Sequence, residues 1–221
     1  MAAVRLGGIS GLLYVVLLIP AYVVGYPDAP NPTSSIQEAI DYFNVGQDAF
    51  VVSNGVLAVF SAFFFLWFLG ILYFLLRRAE GEGGVLSSVA LVGGVTFITL
   101  ACAGFAAEII YPATLGRFEN FEQDAQLVFT SLVLSSWLYH FCQVGTAALV
   151  SATSVAALET GILPRWLALA GFVVALLALL HFLVPLLGAL AGLLWVAVVS
   201  VLMLTDSTGT ATHTRTRTIR Q

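Results

Sequence analysis

No lysine occurs anywhere in this 221-residue chain, and charged residues of all kinds make up only 9% of it. So little charge leaves no solvated surface of the kind a soluble domain carries. A hydrophobic content of 60% and a mean hydropathy of +1.00 exclude a soluble core domain on the same grounds. The net charge is −4 with no extended basic run, which argues against a nucleic-acid partner. Two cysteines, Cys102 and Cys142, imply no redox compartment. They are expected as free buried thiols at similar depth on adjacent helices, although a disulfide between them is geometrically conceivable. Strand-type alternation is absent. So are HExxH and G-x-S-x-G motifs, leaving no catalytic or metal signature to read. Frequent Ala, Gly and Arg in a chain without lysine suggest a GC-rich prokaryotic genome.

What the chain has is long charge-free runs. There are 22 uncharged residues between Arg5 and Asp28, 28 between Asp48 and Arg77, and 25 between Glu82 and Glu108. Asp124 to Glu159 encloses 34 and Arg165 to Asp206 encloses 40, enough for two spans with a turn near Pro185 and Gly188. Crossing a bilayer takes roughly 20 apolar residues, and unpaired backbone groups are not tolerated in lipid, so these runs must be helices. The expected fold is all-α: a polytopic transmembrane bundle of six spans. They lie at about 7–26, 49–76, 85–112, 125–157, 165–183 and 187–204. The first span is expected to be retained, because no clear small-x-small cleavage site follows it.

Six spans put Arg5, Arg77, Arg78, Arg165, Arg215, Arg217 and Arg220 on one side, with only Arg117 on the other. The positive-inside rule then makes both termini cytoplasmic, in a plasma membrane. A five-span reading, with 166–205 as one helix, would place the tail outside. The outer face carries Asp28, Glu38, Asp41, Asp48, Glu119, Glu122 and Asp124, which read first as solvated loop charges. Within the first outer loop, Ser35-Ile36-Gln37-Glu38 has the capping-box pattern. Ile36, Ala39, Ile40 and Phe43 follow at helical spacing, so a short amphipathic helix is expected there as a packed lid or a gate. Residues 206–221 are Thr/Arg-rich and expected to be a disordered cytoplasmic tail.

Ionisable and amide side chains inside such spans are where function is sought first. Glu108, His140 and His181 qualify, with Asn54 and Gln143. At 1.5 Å per residue, the two histidines are roughly level, about 24–27 Å above the inner edge. Glu108 and Asn54 lie about 33–35 Å up. On the fourth span Ser136, His140, Gln143, Ala147, Ser151 and Ser154 form a small and polar stripe that should face protein or water. On the third, Ala101, Gly104, Glu108 and Tyr111 do the same. These residues suit an outer polar cavity, a proton relay, or a hydrogen-bonded structural cluster. A divalent metal or a haem on His140 and His181 is the cofactor alternative. Gly7-x-x-x-Gly11 and Gly188-x-x-x-Gly192 are helix-packing motifs that do not prove a homodimer.

Gly161-Ile162-Leu163-Pro164-Arg165-Trp166-Leu167-Ala168 opens the fifth span, with proline at its start and Arg165 and Trp166 as interfacial anchors. The segment resembles the G-x-x-P-R-W-L opening of an uncharacterised family of small multi-pass bacterial membrane proteins. The resemblance implies a six-span bundle and carries no site residues across. The leading expectation is a non-enzymatic bundle binding or passing a small or lipidic ligand, with membrane lipid as its first partner. A metal- or haem-dependent membrane enzyme and an accessory subunit for another membrane protein are the alternatives, and a homo-oligomer is a further partner class.

Overall fold

A backbone in hydrocarbon must satisfy its own hydrogen bonds, and this chain does so with helices. The computed structural model describes residues 2–25, 30, 34–45, 47–117 and 125–209. Among the described residues every regular element is helical. They are α1 (Ala2–Gly25), α2 (Ile36–Val45), α3 (Gln47–Glu80), α4 (Val85–Arg117), α5 (Ala125–Thr160), α6 (Arg165–Leu179) and α7 (Pro185–Gly209). Five of them, α1, α3, α4, α5 and α7, are long and apolar enough to cross a membrane. The sixth, α6, is apolar but has only 15 residues, about 22 Å of helix against a hydrocarbon core of about 30 Å.

Several boundaries differ from expectation. The run expected as a helix over 165–183 stops at Leu179, and a turn occupies 180–184. The re-entry turn therefore precedes Pro185 rather than falling between it and Gly188. Proline has no N–H to lose at a helix start, and Pro185 is the first residue of α7. Pro164 likewise sits just before α6 rather than inside it. Residues 206–209, expected in a disordered tail, continue α7. The rest of that tail lies outside the described residues, as do Asp28, Glu119, Glu122 and Asp124 of the expected acidic face. α4 runs through Pro112 to Arg117, five residues past its expected end.

The helices close into a ring, each packing on the next in the order α1, α3, α4, α5, α6, α7 and back to α1. The most extensive contact is between α4 and α5. Glycine makes it so close: a Cβ at Gly93 would lie 2.6 Å from the Leu149 nitrogen and 2.8 Å from the Gly145 carbonyl oxygen. Gly7 and Gly11 pack α1 against Ile71, Phe68 and Ser200, and Gly188 packs on the Leu177 carbonyl. Both glycine motifs are thus used within one chain. Side-chain polarity is inside out. Large apolar residues such as Val59, Phe60, Val92, Leu169 and Leu194 are exposed, whereas Ser61, Ser87, Thr153 and Ser200 are buried. An exterior of this kind suits lipid.

The two ends of the ring are built differently. At one end Glu80 accepts hydrogen bonds from the Leu86 and Ser87 nitrogens, joining α3 to the start of α4. Gly161, at φ 71°, ends α5 with its nitrogen on the Ala157 carbonyl. At the other end lies α2. Its capping box forms as its sequence predicts: Glu38 N donates to Ser35 Oγ and Ser35 N to Glu38 Oε2. Ala39, Ile40 and Phe43 are buried, with Phe43 against Phe50 and Tyr111, so α2 is a lid packed on α3, α4 and α5.

These contacts predict opposite outcomes for two glycines. Gly93→Ala should destabilise the fold by about 1–3 kcal/mol, because backbone blocks the new methyl. At Gly70 an added Cβ would meet nothing within 4 Å, so Gly70→Ala should gain up to about 1 kcal/mol through helix propensity. Denaturation midpoints in mixed detergent and SDS measure both.

Candidate functional site

The ring encloses a cavity of about 350 Å³ beneath the lid. Its walls come from α1 (Tyr14, Leu18, Tyr22), α3 (Ser61), α4 (Phe97, Phe105, Glu108), α5 (Ser135, Tyr139, His140, Gln143), the α6–α7 turn (His181) and the lid (Tyr42). α1 and α5 face each other across it without extended packing. Four of the five residues singled out from the sequence line this one space: Glu108, His140, Gln143 and His181. Asn54 does not line it. It is 3% exposed and stands behind Glu108, donating from Nδ2 to Glu108 Oε2 at 3.0 Å.

Local backbone geometry places Asn54. Residues Val51–Leu57 of α3 form a π-helical stretch, wider than the α-helix around it. Such stretches re-aim side chains and recur at functional sites. Ser53, beside Asn54, back-bonds to the Ala49 carbonyl at 2.6 Å. Across from it, Pro112 has no N–H to give the Glu108 carbonyl four residues earlier. Gln47 Nε2 bonds the Pro112 carbonyl at 2.9 Å, tying the top of α3 to α4.

Tyr139 completes the carboxylate's surroundings. Its hydroxyl donates to Glu108 Oε2 at 2.7 Å, and its ring lies against Gly104, which has no side chain to block it. The two donors, Asn54 and Tyr139, converge on the same oxygen. Oε1 accepts from neither. The sequence reading missed Tyr139; its one available signal was that a tyrosine hydroxyl inside a span needs a polar partner. Ser136, on the stripe expected to face protein or water, lines the cavity although it is exposed, and Ser135 beside it is buried.

The two histidines meet edge to face, ring centroids 5.1 Å apart. His181 is 4% exposed and Gln143 5%. His181 Nδ1, His140 Nδ1 and Gln143 Oε1 are buried without a hydrogen-bond partner, as are polar atoms of Ser131, Thr146, Ser154 and Trp195. Cys102 and Cys142 are free. Among the described residues no group of three His, Cys, Asp or Glu is placed to hold a metal ion. One carboxylate, two imidazoles and an amide instead line a shared space from α4, α5 and the α6–α7 turn.

The Glu108–Tyr139 bond crosses between α4 and α5, so it also holds the ring together. Tyr139→Phe should cost about 1 kcal/mol, as should Glu108→Ala beyond its packing loss. The double-mutant cycle should give a coupling of about 1 kcal/mol in detergent unfolding. A coupling near zero would show that the bond carries no stability.

No family model matches this chain, and neither does any curated protein or solved structure.

Proposed function

We propose that this chain is a non-enzymatic, multi-pass protein of a prokaryotic plasma membrane that binds or passes a small or lipidic ligand in the cavity under α2. The carrying observation is the cavity's size and lining. About 350 Å³ falls in the range of small-molecule sites, and its walls are mainly apolar with a few convergent polar groups. Two of those groups, His181 and Gln143, are buried and each carries a polar atom without a hydrogen-bond partner.

In this reading α6 is a sixth, short span, and both termini are cytoplasmic. Seven of eight arginines then share the inner side, and the α2 lid faces outward. The shortness of α6 is accommodated by its apolar turn: Leu180, Phe182 and Leu183 are exposed with no charge among them.

Two measurements test the proposal. Native mass spectrometry of protein released from mild detergent should show a bound small molecule or lipid retained stoichiometrically. Ala101→Phe, which fills the cavity wall, should reduce that occupancy at least tenfold while keeping cooperative unfolding. A bare wild-type mass under conditions that preserve lipid adducts on other proteins counts against the reading. For orientation, a membrane-impermeant maleimide on intact cells should label Ser35→Cys and leave Thr212→Cys unlabelled in a Cys102→Ser/Cys142→Ser background. Labelling of Thr212→Cys would require an odd number of spans.

A further inference from the structure

The character of the ligand can be narrowed from the cavity's polar atoms, and the inference rests on the ligand-binding reading above. Among the described residues, Glu108 is the sole carboxylate lining the cavity, and no arginine lines it. The chain has no lysine to supply a counter-charge. Asn54 and Tyr139 occupy Oε2 and leave Oε1 without a donor. The lining therefore carries one acidic group and no arginine or lysine, and an occupant that brings a positive charge with its own N–H donors complements it.

The walls add two constraints. Aromatic rings of Tyr14, Tyr22, Phe97 and Phe105 surround the space, and ring faces attract cations, more strongly where water is excluded. Toward the α6–α7 turn the cavity wall includes the apolar Pro185 and Ala189, and the ring of His140, which also lines it, packs on Trp137 at 5.7 Å and Phe182 at 5.5 Å, which are 52% and 72% exposed. The α6–α7 hairpin stops at this level, while α5 continues 15 residues from His140 to Ala125, about 22 Å further. This part of the wall suits an apolar chain.

We infer that the cavity takes a cationic amphiphile, with an ammonium group at Glu108 and an alkyl chain along the apolar wall toward the α6–α7 turn. The ammonium donates to Glu108 Oε1 and sits among the rings. An anionic head of equal length would meet Glu108 as a like charge, and a neutral alcohol would leave the carboxylate uncompensated.

The test is native mass spectrometry of the full-length protein in zwitterionic-lipid nanodiscs, titrated in turn with dodecylamine, dodecanoate and dodecanol. Butylamine serves as a short-chain competitor. Dodecylamine should form a 1:1 adduct at least tenfold more tightly than the acid or the alcohol. Butylamine should not displace it at equal concentration. Glu108→Gln keeps an oxygen that accepts from both Asn54 and Tyr139, and should lose at least tenfold in amine affinity. Tyr139→Phe keeps the carboxylate and should retain amine binding. If Glu108→Gln does not fold, the three-headgroup comparison on the unaltered protein decides. Equal or tighter binding of dodecanoate or dodecanol overturns the ammonium assignment and leaves the cavity reading standing. Equal binding of butylamine overturns the amphiphile. Failure of all three dodecyl compounds to bind overturns this inference, whereas the ligand-binding reading falls only with a bare wild-type mass in the retained-adduct measurement.

Discussion

The backbone contact between α4 and α5 is the constraint from which the remaining architecture follows. Gly93 and Gly145 lack the side chains that would hold the two helices apart, so peptide groups meet directly. Dispersion between closely packed atoms is the main attraction available where lipid is as apolar as the helix. The approach continues toward the lid, where Gly104 accepts the ring of Tyr139. That register brings the Tyr139 hydroxyl onto Glu108. Because α5 is engaged by α4 on one flank and α6 on the other, it does not close against α1. The space left between α1 and α5 is the cavity.

Legibility in the sequence followed energetic cost. Glu108, His140, His181, Asn54 and Gln143 stood out because a polar side chain in an apolar run is expensive and needs a reason. The α2 lid was readable from Ser35 and Glu38, since a capping box is a local interaction completed within four residues. The turn at 180–184 was not readable. Leu180, Phe182, Leu183 and Val184 carry no turn chemistry, and what ends α6 there is its tertiary setting, with His181 against His140. Pro185 misled for a related reason: proline breaks helices and also begins them, and its sequence context does not separate the two. Tyr139 was missed because its role depends on Gly104 and Glu108, both on another helix.

Departures from regular helix gather at the level of the cavity and the lid. α3 widens into a π-helical stretch over Val51–Leu57, α4 contains Pro112, α1 contains Pro20 and α6 ends at Leu179. Toward the opposite end the same helices are regular and held by glycine contacts, and small hydroxyls such as Thr153 and Ser200 bond their own backbone carbonyls. Regular helix lies toward one end and irregularity toward the other. That division is expected where a rigid base supports a site whose geometry ordinary helices would not supply.

The carboxylate is the part of this arrangement that architecture alone does not require. Asn54 and Tyr139 both donate to one oxygen of Glu108. An amide oxygen in its place would accept both bonds and tie α3, α4 and α5 together without bringing an ionisable group into an apolar bundle. An unpaired charge costs several kcal/mol where water is scarce, whereas a neutral hydrogen-bonded group costs far less. A purely structural knot with a glutamine side chain at this position would thus be the cheaper solution on energetic grounds. What the acid adds is Oε1, the oxygen that the three-helix tie does not use. Under the ligand-binding proposal it is this atom, rather than the knot around Oε2, that an occupant of the cavity meets.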